Sequence, residues 1–183
     1  GGAGPTRLLL RLRQRDPEAM GAAMAALQAR PGDVPEQLAL LRALGELAEP
    51  SVVPTLVDLA LQEPVRSPSV RQAALGALAA FPSESLPAGL PGRLIAALPA
   101  LPGDVRISAL AFLTSRPGSA RSLLEAIGER RIDPGSVPPE MGDRLRHARD
   151  PEIRGLAQKV LPARGSARAT TADPTVAAGS PPS

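Results

Sequence analysis

The only histidine of the chain is the residue best suited to acid-base or metal chemistry, and it lies three residues before an Asp-Pro pair. His147 and Asp150 would form a proton-transfer pair, or two ligands of a metal ion, if further donors converged on them. The other acids nearby are Glu140, Asp143 and Glu152. In the alternative interpretation Asp150 caps a helix and His147 ends the preceding turn. We favour this structural interpretation, because a metal site needs three or four convergent ligands.

Serines are the remaining candidate nucleophiles. Ser108, Ser115 and Ser122 have no base at a recognisable spacing. The chain also has no cysteine, which excludes disulfides, thiolate zinc sites, cysteine nucleophiles and haem attachment through C-x-x-C-H within it. We therefore predict no catalytic, metal-binding or cofactor-binding residue, and no enzyme activity of the chain itself.

Two clusters of arginine raise the question of an anionic partner. Arg7, Arg11 and Arg15 recur every four residues and would share one helical face. The second cluster consists of Arg130, Arg131, Arg144, Arg146 and Arg149. Positive and negative charges are nearly balanced, with 21 basic against 18 acidic residues, and the chain has no Trp or Tyr to stack on bases. We interpret both clusters as solvated faces or contacts with a neighbouring domain, and keep nucleic-acid binding as the alternative.

The composition predicts an all-α fold. Hydrophobic residues make up 43% of the chain, but Phe81 and Phe112 are its only aromatic residues, so Leu, Ala, Val and Ile must build the core. Ala, Leu and Arg favour helices, whereas strands prefer β-branched and aromatic residues. We expect no membrane-spanning helix, because no apolar run approaches about 18 residues. The first residues contain too many arginines for a signal peptide, and without an initiator Met we expect a fragment of a longer protein.

Apolar positions recur at helical spacing in short segments that are bracketed by Pro, Gly, Asp or Ser. "SPSVRQAALGAL" at 67–78 matches "DPEAMGAAMAAL" at 16–27, and "GDVRISALAFL" at 103–113 and "DPEIRGLAQKVL" at 150–161 follow the same pattern. Asp16, Ser67 and Asp150 are predicted helix caps, each followed by a proline at the first helical position. One hairpin of this size cannot bury both faces, so successive hairpins must stack.

This pattern resembles the HEAT repeat, a helical pair of about 35 residues that opens D/S-P-x-V-R-x-x-A-L. The resemblance implies an α-solenoid of about four hairpins over residues 1–162. The units lie near 5–29, 34–63, 67–98 and 104–130, with a terminal half-repeat at 150–161. It also implies that Arg71, Arg106 and Arg154 tie neighbouring repeats together, although Gln37 replaces the arginine in one unit. Residues 163–183 have almost no large apolar side chain and predict a disordered linker or tail, and the Pro- and Gly-rich stretch 131–143 predicts a surface loop.

A narrower resemblance covers residues 101–161. A Ser-Arg-Pro turn, a Leu-Leu-x-Ala-Ile helix and Arg-Leu-x-x-His-x-x-Asp-Pro-x-Ile-Arg follow in order, and this order is similar to the helical region of membrane-bound dehydrogenases of planctomycete-type bacteria. Those large extracytoplasmic proteins carry a β-propeller, HEAT repeats and a cytochrome c domain. The resemblance implies a non-catalytic scaffold that spaces protein domains of one parent chain, with haem c in a downstream domain and a location in the periplasm or cell envelope. The alternative is a stand-alone, cytoplasmic HEAT protein of the chromophore-lyase or nucleic-acid-binding type.

Overall fold

The computed structural model describes residues 3–28, 33–61 and 67–162, with side chains from Arg7 onwards. These residues form ten α-helices and no strand, which confirms the all-α prediction. The helices are α1 (Ala3–Arg13), α2 (Pro17–Gln28), α3 (Val34–Leu47), α4 (Val53–Leu61), α5 (Pro68–Ala79), α6 (Leu90–Ala97), α7 (Gly103–Thr114), α8 (Pro117–Gly128), α9 (Pro139–Arg146) and α10 (Pro151–Val160). Short 3-10 turns cover Pro50–Val52, Ser83–Ser85, Leu98–Ala100 and Pro134–Ser136. The predicted tail at 163–183 lies outside the described residues.

The helices pack largely in chain order. Odd-numbered helices contact one another in sequence, with α1 against α3, α3 against α5, α5 against α7 and α7 against α9. Even-numbered helices do the same from α4 to α6, α6 to α8 and α8 to α10. Contacts such as those of α4 with α5 and α9 with α10 join the two series. Each helix is therefore held mainly by elements one or two places away along the chain.

Leucine is the most frequent residue of the core between these helices. Leu44, Leu56, Leu78, Leu94 and Leu110, on five successive helices from α3 to α7, all have 0% of their surface exposed. Burying such a side chain stabilises the fold by about 1.5–3 kcal/mol. These leucines belong to one cluster of buried residues, so the core continues from one helix pair to the next.

Small residues set the distance between α3 and α5. A Cβ built on Gly45 would lie 3.2 Å from the Cα and 3.3 Å from the Cβ of Ala77. Gly45 itself is buried. The helix backbones therefore meet at a position where even a methyl group would be crowded.

The stretch at 131–143 differs from its prediction as a surface loop. Ile132 and Val137 are only 5% and 7% exposed, and α9 begins inside the stretch at Pro139. The composition is rich in helix-breaking residues, but Pro139 occupies the first turn, where proline is compatible with a helix. Leu145, six residues after Pro139, is buried and lies on the inner face of α9.

The described part of the chain contains no helix that is long and apolar enough to span a membrane.

Candidate functional site

His147 and Asp150 each bind a different part of the backbone. His147 is exposed, and its Nδ1 lies 2.8 Å from the carbonyl oxygen of Asp143 on its own helix. One carboxylate oxygen of Asp150 accepts hydrogen bonds from the amides of Glu152 at 2.9 Å and Ile153 at 3.3 Å. The carboxylate lies at the start of α10 and the imidazole at the end of α9. Within the described ranges, no three His, Asp or Glu side chains are placed to hold a metal ion.

The two other predicted caps also lie at helix starts. Asp16 Oδ1 accepts from the amides of Glu18 at 2.9 Å and Ala19 at 3.4 Å, and Ser67 Oγ accepts from the amide of Val70 at 3.3 Å. Asp16 Oδ2 also accepts a hydrogen bond of 2.7 Å from Arg11 Nε. This bond from Arg11 lowers the pKa of Asp16, and the backbone amides act in the same direction.

The first arginine cluster presents less charge than its spacing suggests. Arg11 forms ion pairs of 2.7 Å with Asp16 and 2.9 Å with Glu18, and these hydrogen bonds raise the pKa of its guanidinium. Arg7 and Arg15 are exposed, and no ion pair joins either of them to another described residue. The middle positive charge of the three is thus matched by two carboxylates.

In the second arginine cluster, too, some of the positive charges are paired with acids. Arg146 pairs with Asp143, and its other terminal nitrogen donates 2.6 Å to the carbonyl oxygen of Pro162. Arg131 pairs with Glu129 at 2.6 Å. The exposed remainder consists of Arg130, Arg144 and Arg149.

The three arginines assigned to repeat contacts differ in what they reach. Arg71 on α5 is 2% exposed, and its Nε donates 3.0 Å to the carbonyl oxygen of Ala60 on α4. Arg106 donates 2.9 Å to Leu101 O, and Arg154 donates 3.2 Å to Ala148 O. Arg71 therefore joins two predicted units, whereas Arg106 and Arg154 bind the loops directly before their own helices. Gln37, at the corresponding position of α3, is 4% exposed.

Arg116 makes a longer-range contact that the sequence did not single out. Its Nη2 donates to the carbonyl oxygens of Leu78 at 3.4 Å, Ala79 at 3.0 Å and Phe81 at 2.6 Å, at the end of α5. Its guanidinium carbon lies 4.7 Å from the centre of the Phe112 ring. The acceptors precede Arg116 by 35 to 38 residues, close to the repeat length. That separation, together with the Ser-Arg-Pro turn, was the signal available in the sequence.

A cavity of about 330 Å³ lies beside Arg116, between the turn at Ser83–Ser85 and the start of α8. Its apolar wall includes Leu86, Leu90 and Phe112. Its polar wall includes Arg116, Ser119 and Ser122. Partial burial lowers the pKa of Arg116, and no ion pair joins this cation to an acid among the described residues. The cavity thus combines an unmatched positive charge with an apolar wall.

Comparison of the chain with models of protein families, with curated proteins and with solved structures found no match.

Proposed function

We propose that the chain is an α-solenoid of about four HEAT-like hairpins and acts as a non-catalytic scaffold that holds protein domains in relative position. The observation that carries the proposal is the packing of helices two places apart along the chain, from α1 to α9 in the odd-numbered series and from α4 to α10 in the even-numbered series. Such nearest-neighbour packing is typical of repeat arrays, whose size grows along one direction and whose surfaces bind partners.

Hydrogen bonds between successive helix pairs support the same proposal. Arg71 connects α5 to α4, and Arg116 connects the start of α8 to the end of α5. Arg71 is buried, where a bond from a cationic donor to a carbonyl contributes more than it does in solvent. These arginines fix the angle between neighbouring pairs, which is the property that a rigid spacer requires.

We further propose that the scaffold is the spacer of a multidomain, dehydrogenase-like protein of the cell envelope, between a catalytic propeller and a haem c domain. The support is the order of motifs in residues 101–161. The motif residues Arg116 and Asp150 bind backbone groups. We therefore assign the motif a structural role in this helical region and not a catalytic one.

The array proposal is tested by native-state hydrogen exchange of the whole chain. In an array, helices at the ends open at lower free energy than those in the middle, so α10 should exchange through partial opening while α5 stays protected. A single value of protection shared by all ten helices would mean that the fold opens as one globular unit, and would refute the array.

The spacer proposal is tested by reading the gene that encodes the parent protein. Coding sequence for propeller-like β repeats before Gly1 and for C-x-x-C-H after Ser183 is required, and a gene without them would refute it. In that parent protein, a flexible Gly/Ser linker of equal residue number should replace residues 1–162 without loss of dye reduction by the propeller. Electron transfer to the haem should fall, because a flexible chain does not fix the distance between the two centres.

A further inference from the structure

The cavity beside Arg116 has three features that single it out from the other grooves of the fold. The first is Ser119, which is 6% exposed and lines the cavity. No hydrogen bond joins the Ser119 hydroxyl to any described residue. The side chain is thus nearly enclosed, but its hydroxyl has no protein partner, so a polar group in the cavity would gain a hydrogen bond there.

The second feature is the start of α8. The first backbone bond of this helix runs 2.8 Å from the amide of Ala120 to the carbonyl oxygen of Arg116. The amides of Gly118 and Ser119 precede it and have no acceptor among the described residues. Gly118 and Ser119 both line the cavity, and a Cβ built on Gly118 would find no atom within 4 Å, so there is space beside this first turn. Free amides and the helix dipole favour an anion at this end.

The third feature is Arg116, whose positive charge lies on the same wall. Its Nη2 is occupied by three carbonyl oxygens, whereas its Nη1 is buried without any hydrogen-bond partner. Carbonyl oxygens satisfy a donor but do not neutralise the charge of the guanidinium. An anion in the cavity would supply a negative charge close to this guanidinium.

The geometry points to a small monocarboxylate as the ligand of this cavity. The carboxylate lies at the first turn of α8, beside Ser119 and Arg116, and its alkyl chain lies against Leu86, Leu90 and Phe112. The cavity volume of about 330 Å³ is near the lower end for ligand pockets and suits an acid of about six carbons. The free acid and the C-terminal carboxylate of a peptide ending in an apolar residue share this chemistry.

The test is a titration of the isotopically labelled chain, followed by NMR of its backbone amides. Hexanoate should shift the Gly118 and Ser119 amides saturably, and hexan-1-ol, which has the same chain without the charge, should bind at least about tenfold more weakly. N-acetyl-leucine in a parallel titration represents the peptide C-terminus. Whichever carboxylate binds more tightly identifies the source of the ligand.

Two serines provide a matched pair of variants. Ser122 and Ser108 are both half-buried and donate to the carbonyl oxygen four residues earlier, at 3.2 Å to Gly118 and 3.1 Å to Asp104. Only Ser122 lines the cavity. Ser122→Leu should fill the cavity and abolish the hexanoate shifts, whereas Ser108→Leu should leave them unchanged.

Ser119→Ala provides an independent measurement if Ser122→Leu does not fold. It removes one hydrogen-bond donor and should weaken hexanoate binding about threefold or more. Two ligand results would overturn the proposal: hexan-1-ol binds as well as hexanoate, or no carboxylate gives a saturable shift. Two variant results would also overturn it: Ser108→Leu loses as much binding as Ser122→Leu, or Ser119→Ala binds hexanoate as tightly as the parent does.

Discussion

Gly45 is a position where the packing of α3 on α5 can be tested with a single methyl group. The Cβ of an alanine there would lie 3.2 Å from the Cα of Ala77, closer than carbon atoms normally approach. Gly76, which lies on α5, provides the control, because a Cβ built there has no neighbour within 4 Å. Both glycines lie near the C-terminal end of a helix. Gly45→Ala and Gly76→Ala thus make the same chemical change with and without a contact.

Two opposing effects determine the expected magnitudes. Replacing a helical glycine by alanine stabilises the helix by up to about 1 kcal/mol, and both variants gain this amount. Extra volume in a close-packed interface costs about 1–3 kcal/mol, and only Gly45→Ala pays it. We therefore expect Gly76→Ala to stabilise the chain and Gly45→Ala to lie about 1–3 kcal/mol below it.

Urea unfolding followed by circular dichroism measures both values, and equal slopes would show that the unfolded state is the same. If Gly45→Ala raises the free energy of unfolding as much as Gly76→Ala does, α3 and α5 do not approach as closely as the structure has them. The conclusion that small residues set the spacing of the array would then fail.

Two further perturbations address the helix starts. Asp150→Ala removes the acceptor of two amides and should lower the free energy of unfolding by about 1 kcal/mol. The control is Asp104→Ala in the first turn of α7, which removes a charge but no cap and should cost less. An equal loss of both variants in urea unfolding would argue against capping. Acidification should weaken the junction of α1 and α2, because the bond from Arg11 holds the pKa of Asp16 below its unfolded value. That stabilisation is present above about pH 4 and is lost as the pH falls through the folded pKa. Asp16→Asn keeps a cap but not the charge, so its difference in Tm from the parent should shrink in acid, and a constant difference would contradict the assignment.

The starts of α2, α5 and α10 could be predicted from the sequence because capping is local chemistry. An Asp or Ser followed by proline satisfies a free amide and supplies the required φ within a few residues. Asp16, Ser67 and Asp150 all accept amide hydrogen bonds at the predicted helix starts. Helix α9 lacks this signal, since Pro138 precedes it and no side chain caps it. Its position depends on burial of Leu145 against other helices, which no local pattern encodes.

Contacts between distant segments were harder to predict for the same reason. Arg71 and Arg106 occupy the same position of the repeat pattern, but the first crosses to α4 and the second binds its own loop. The same residue type at the same repeat position therefore reaches a helix in one case and a loop in the other. The cavity beside Arg116 likewise depends on a turn at Ser83–Ser85 that packs near the start of α8, and residue types alone do not indicate such proximity.

Several arginines of the chain bind backbone carbonyl oxygens, a role that needs no anionic partner. Five of the arginines that the structure describes donate to main-chain carbonyl oxygens: Arg71, Arg106, Arg116, Arg146 and Arg154. The planar guanidinium has five N–H donors, so one side chain can bind several carbonyls at a helix end. Lysine, with a single strongly hydrated nitrogen, is less suited to this role, and Lys159 is the only lysine in the chain. Carbonyl binding thus accounts for these five arginines of the chain without nucleic acid.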